Sequence, residues 1–183
     1  MQHQPFKTAA RRQIGLTLIE SMVAMAIAAV ATGTVLPGFQ QALERRHLDG
    51  AAAQLRTDVQ LARSLAVAQN RTLRVSYKTG NFGSCYIVHS GSANDCSCGA
   101  GGMPVCSNGA RTFRSVHFEP TGAVQLRSNV ASMVLDPTKG TVSPAGTLRV
   151  MGRDGRAVHA VVNIMGRMRM CTPSAGLTGY PAC

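Results

Sequence analysis

Gly15-Leu16-Thr17-Leu18-Ile19-Glu20 opens an apolar run over residues 16–36, and the reading of that run decides what kind of chain this is. Its only charge is Glu20, set among Leu, Ile, Val, Ala, Met and small residues. A helix of that length crosses a hydrocarbon core of about 30 Å. A carboxylate at the centre of such a helix costs about 2.5–3.5 kcal/mol, so Glu20 must be compensated or shallow, and an acid kept there points to function. Lys7, Arg11 and Arg12 precede the run with no acid among them. By the positive-inside tendency this holds the N-terminus in the cytoplasm and places everything after Leu36 outside. An ordinary signal anchor shares the apolar length, and the Ala-rich stretch 24–31 imitates a small-residue cleavage site.

Past Pro37-Gly38 the helical pattern resumes over 39–70. Leu48, Ala52, Leu55, Val59, Ala62 and Ala66 step by four and three, a stripe that buries one face and leaves Arg45, Arg46, Arg56, Asp58 and Arg63 on or near the wet side. Taken as nearly one helix, 16–70 is a rod of about 80 Å. Gly33, Pro37 and Gly38 mark where it should bend or melt. After Asn70 the period changes to two. Segments 72–78, 84–89, 111–118, 123–126, 130–135, 147–151, 156–162 and 167–171 read as strands of a mainly antiparallel sheet, with Gly152-Arg153-Asp154-Gly155 as a hairpin turn. Residues 90–109 read as an exposed loop held by bridges. The fold class is α+β, with a long N-terminal helix packed on a C-terminal antiparallel sheet domain. The expected divisions are 1–15, a leader; 16–37, the membrane-spanning half of the helix; 38–70, its amphipathic half; and 71–183, the β-rich domain.

All six cysteines, Cys85, Cys96, Cys98, Cys106, Cys171 and Cys183, follow the membrane run and read as disulfides before metal ligands. Cys171 and Cys183 bracket a tail holding Pro173, Gly176, Gly179 and Pro181, so a bridge tying that tail to the last strand is the preferred pair. Cys85 and the cluster Cys96, Cys98 and Cys106 supply the other two, in a pairing the sequence leaves open. A zinc site in the cluster is the competing idea; its C-x-C spacing is poor for a zinc knuckle, and no His lies close by. No metal and no other cofactor is expected.

The chain of 183 residues carries a formal +11, and a leader ending at Gly15 takes three cations and no acid, leaving +8. Nearly all the remaining cations are Arg, whose planar fork suits phosphate or carboxylate, so nucleic acid or lipid headgroups are candidate partners; genomic base bias explains the same composition. The cations concentrate late. Arg149, Arg153, Arg156, Arg167 and Arg169 stand against Asp154 alone after Thr147. On a strand, Arg167, Arg169 and Cys171 share one face, and Met168 and Met170 share the other. Gly166 beside them lets a phosphate approach without a side chain in the way. The plain alternative is a solvated basic edge that blunts aggregation.

The basic leader, Gly15, the acid five residues on and Pro37 together resemble the prepilin signal of type IV pilins and type II secretion pseudopilins. The resemblance implies cleavage by prepilin peptidase after Gly15 and methylation of the new N-terminal Leu16, a position at which the family usually carries Phe. It also implies that Glu20 serves assembly with other major and minor pilins. The long helix, sheet domain and final hairpin are similar to the GspH/FimT branch. There, Gly166-Arg167-Met168-Arg169 looks like the G-R-x-R element through which FimT-type minor pilins contact DNA. That implies an inner-membrane protein, its C-terminal domain periplasmic and then extracellular in the pilus, that binds double-stranded DNA non-specifically during natural transformation. A structural minor pilin or a GspH-like pseudopilin that primes or caps a filament is the alternative, and a membrane-anchored binding module unrelated to filaments is a third. Five scattered histidines, without H-E-x-x-H, G-x-S-x-G or a Walker loop, read as a non-enzyme.

Overall fold

The computed structural model describes residues 17–173 and 177–183, so Gly15 and Leu16 lie outside the described residues. The chain forms two compact units, Met1–Gln41 and Ala42–Cys183. The helix α1 (Leu18–Ala68) contributes to both.

In the first unit the described side chains of α1 are exposed except for half-buried Ser21, and Leu18, Met25 and Val30 each expose 70% or more. By length and composition this is a helix apolar enough to cross a membrane. Thr17 caps it, its Oγ1 accepting the Glu20 amide at 3.4 Å. Glu20 therefore lies in the first turn, where a carboxylate faces the positive end of the helix. The expected melting at Gly33, Pro37 and Gly38 is corrected, because the backbone stays helical through all three. Proline removes one donor, and the bonds on either side carry the helix across.

In the second unit α1 ends in a Schellman motif. The Arg71 amide donates to Ala66 O at 2.9 Å and the Asn70 amide to Val67 O at 3.1 Å, with Asn70 left-handed at φ 46°. The stripe Leu48, Ala52, Leu55, Val59, Ala62 and Ala66 is buried, none more than 4% exposed. It packs into one core with residues of two antiparallel sheets.

The strands are β1 (Leu73–Gly80), β2 (Gly83–His89), β3 (Cys96–Cys98), β4 (Pro104–Cys106), β5 (Thr112–Phe118), β6 (Val124–Ser128), β7 (Ser132–Leu135), β8 (Val142–Ser143), β9 (Gly146–Gly152), β10 (Ala157–Val162) and β11 (Met168–Cys171). One sheet is ordered β5-β2-β1-β7-β8 and the other β11-β10-β9-β6, while β3 and β4 form a separate ribbon. Every strand pairing is antiparallel.

Two expectations change here. Residues 90–109 are not only loop, since β3 and β4 pair across them and Cys96 bonds Cys106 within that ribbon, while Cys98 bonds Cys85 on β2. Asp58 is not on the wet side but buried, accepting Tyr86 Oη at 2.6 Å and Arg114 Nε at 3.2 Å. Helical spacing sets Asp58 next to Val59 at the stripe's margin, and the sheet then closes over it. Burial, then the hydrogen bond to Asp58, raises the Tyr86 hydroxyl above its ordinary pKa.

Candidate nucleic-acid interface

The four-stranded sheet positions the late arginines. Leu148, Val150, Val158, Ala160 and Val162 point into the core, none more than 1% exposed. By alternation Arg149 on β9 and Arg169 on β11 face outward, and both are exposed. Met168 and Met170 are half-buried against the core, the division expected of β11. Cys171 shares the arginines' parity yet is buried. The tail explains this. Cys171 bonds Cys183, the Thr172 amide donates to Pro181 O at 2.9 Å, and the Cys183 amide donates to Thr172 O at 3.0 Å.

The β10–β11 turn is a rigid mount for Arg167. The Gly166 amide donates to Asn163 O at 2.9 Å, the Arg167 amide to Asn163 Oδ1 at 2.9 Å, and the Asn163 amide to Arg167 O at 3.1 Å. Gly166 has φ 72°, and an added Cβ would stand 2.8 Å from Arg63 Nε and 3.0 Å from Gly140 O. The reading of Gly166 as an approach for phosphate is thereby corrected. Its bare side is occupied from within by Arg63, whose Nε donates to Gly140 O at 2.8 Å. The glycine is needed for the turn and for that guanidinium.

Arg153 and Arg156 are also placed differently from the expectation. Val162 pairs with Met168 at one end of the hairpin stack, and Ala157 pairs with Met151 at the other. Five residues at about 3.3 Å each separate those ends, about 17 Å. Arg153 and Arg156 lie at the far end, where Arg153 donates to the carbonyls of Gly122 and Thr121, and Arg156 is paired with Asp154. Arg149 stands between the two ends, opposite His159. Burial first, and then Arg149, hold the His159 imidazole below its ordinary pKa.

Two cations here escaped sequence reasoning. Arg127 on β6 pairs directly with Arg149. Its signal was the alternation of buried Val124 and Leu126 with exposed Gln125 and Arg127. Arg56 on α1 and Arg169 line one groove of about 610 Å³, together with Thr57, Gln60, Met170 and Tyr180. All six cysteines are consumed in disulfides, Cys171 with Cys183 among them. Among the described residues no group of three or more His, Cys, Asp or Glu is arranged to hold a metal ion.

A capped apolar N-terminal helix that continues along the core of a disulfide-bonded antiparallel sheet domain defines the class, a pilin-like α+β protein. The model of the type II transport protein GspH family matches residues 51–166, more than half of the chain, and the chain belongs to that family of type IV pilin-like proteins. The prokaryotic N-terminal methylation motif matches residues 10–36. Among solved structures, the type IV minor pilin FimU of Pseudomonas aeruginosa is 20% identical, over 69% of this chain and 90% of that one, with a TM-score of 0.49. No curated protein sequence matches. Arg167 and Arg169 fall just beyond the GspH match. Pilin-family proteins are structural, assemble with other pilins, and are processed by prepilin peptidase through the methylation motif.

Proposed function

We propose that this protein is a minor type IV pilin that binds double-stranded DNA without sequence preference during natural transformation. The observation that carries the proposal is β11, which anchors Met168 and Met170 on the core while Arg169 on the strand and Arg167 on the hydrogen-bonded turn before it stand exposed. Two guanidiniums so held neutralise phosphates and release counterions. Among the described residues no helix is set beside these arginines for major-groove readout, and aromatic side chains for base stacking are few.

The leader is cut after Gly15 and Leu16 becomes the methylated N-terminus; mass spectrometry of that terminus tests this, and any other start removes it. The anchored precursor sits in the inner membrane with its C-terminal domain in the periplasm, and the assembled subunit is extracellular. Glu20, in the first turn, meets the terminal amine of a neighbouring subunit, an ion pair that offsets the cost of its burial. Glu20→Ala is then processed normally but missing from sheared pili.

The test of DNA binding uses the detergent-solubilised full chain. Arg167→Gln/Arg169→Gln leaves thermal unfolding unchanged, weakens binding at every sequence, and lowers the log-log salt slope by up to about 2. Wild-type binding by that variant refutes the assignment. The match to a secretion-family model, ending at Gly166, favours a second reading as a pseudopilin or structural minor pilin that primes or caps a filament. Wild-type protein without DNA affinity decides for it.

A further inference from the structure

The outer face of the β11-β10-β9-β6 sheet carries a second arginine pair that the hairpin motif does not contain. Arg127 and Arg149 are directly opposed in register, and both are exposed. Like charges facing each other across a strand pair work against the sheet, and among the described residues neither guanidinium is ion-paired to a carboxylate, Glu119 in the groove beside Arg127 included. None of these four strands contains an Asp or Glu. The acid in the adjoining turn, Asp154, is already paired with Arg156. The next residue along the row is His159, opposite Arg149 on its other side, so the row offers no carboxylate from any strand. A pair with no ion-paired carboxylate among the described residues has its charge open to an anion from outside.

Geometry selects the anion. Arg169 pairs with Val161, and Val161 pairs with Thr147, one dipeptide along β9 from Arg149. Two strand spacings of about 4.8 Å and one dipeptide of about 6.8 Å separate the backbones of Arg149 and Arg169 by about 12 Å. That is about the width of the major groove of B-DNA, which has a phosphate backbone on either rim. Between the two pairs lie Thr147, Val161 and His159, none of them anionic. We propose that Arg127 and Arg149 form a second phosphate clamp, gripping the opposite strand of a duplex whose first strand lies on Arg167 and Arg169, so that the sheet face spans a groove.

This rests on the proposed DNA binding and goes beyond it, since a single arginine pair has no means of telling duplex from single strand, and two pairs a groove apart do. The experiment compares a duplex with one of its strands, at equal length and salt, on the detergent-solubilised full chain. Wild type is expected to prefer the duplex. Arg127→Gln/Arg149→Gln is expected to unfold at or above the wild-type temperature, because the opposed charges are gone. It should lose duplex affinity, lower the duplex salt slope by up to about 2, and keep single-strand affinity, erasing the preference. Arg127→Lys/Arg149→Lys, which retains the charges, is expected to keep most of the duplex slope. If Arg127→Gln/Arg149→Gln keeps the duplex preference and slope while Arg167→Gln/Arg169→Gln loses binding, the second clamp is refuted and the hairpin reading stands. If neither variant alters binding, or wild type does not bind, both fail.

Discussion

The two stretches of α1 have one secondary structure and opposite relations to the rest of the chain. In Met1–Gln41 the described apolar side chains of α1 go all the way round and stay exposed, Leu18, Ile19, Met25 and Val30 among them. In Ala42–Cys183 one apolar stripe, Leu48 to Ala66 at steps of four and three, is buried in a core shared with the chain's own sheets, while Leu43, Leu61 and Val67 off that stripe stay exposed. A helix apolar on every side needs an environment that its own chain does not provide, lipid or neighbouring subunits; an amphipathic one completes a core. The first stretch answers to assembly and the second to folding.

Substitutions separate the two. Leu55→Ala, in the buried stripe, should cost about 2–5 kcal/mol in denaturant unfolding, while Met25→Ala should leave the same transition unmoved. An equal loss from both would erase the distinction. Next in size, Cys171→Ser/Cys183→Ser opens a bridge closing a separation of 12 residues. It should cost about 2–4 kcal/mol and expose the tail to limited proteolysis. A tail still protected would show that the Thr172 hydrogen bonds alone hold it.

Gly166→Ala is smaller. At φ 72° it takes a left-handed conformation costly to L-residues, and it crowds Arg63, so a loss of about 1–2 kcal/mol is expected. Stability unchanged in that variant would return Gly166 to a role in ligand approach.

Acidification should have the least effect. His89 is buried, its Nε2 2.8 Å from Ser76 Oγ and its Nδ1 2.9 Å from Ser90 O. Burial, ahead of Arg74 and Lys78 and against the pull of the Ser90 carbonyl and Asp95, holds its pKa below the ordinary value. The folded state thus takes up the proton less readily than the unfolded chain. Stability is complete above about pH 6.5 and declines as pH falls through the window beneath it, with His159 acting in the same sense. Melting temperatures across pH 7 to 5 should fall in wild type and fall less in His89→Gln; a flat wild-type profile would refute this.

What the sequence determined by itself was local and periodic. Apolar composition broken by the single charge of Glu20 identified the membrane-length run, a stripe at steps of four and three identified the buried face of α1 residue by residue, and period-two alternation located eight of the strands to within about two residues. These follow from spacing along one element, which needs no knowledge of neighbours. The inward methionines and outward arginines of β11 were legible for the same reason. Tertiary structure decided whatever depends on two distant segments meeting. Asp58 is buried because Tyr86 and Arg114 arrive from β2 and β5. Gly166 serves Arg63, about a hundred residues earlier in the chain. Arg153 and Arg156 are kept from the hairpin tip by strand length, and Arg127 is brought to Arg149 by a register that no local pattern encodes. The three-residue strands β3 and β4 were too short to show a period; the Cys96–Cys106 and Cys85–Cys98 bridges, with the Ser107–Asp95 and Asn108–Asp95 hydrogen bonds, give that ribbon a place that its glycines cannot provide by apolar burial.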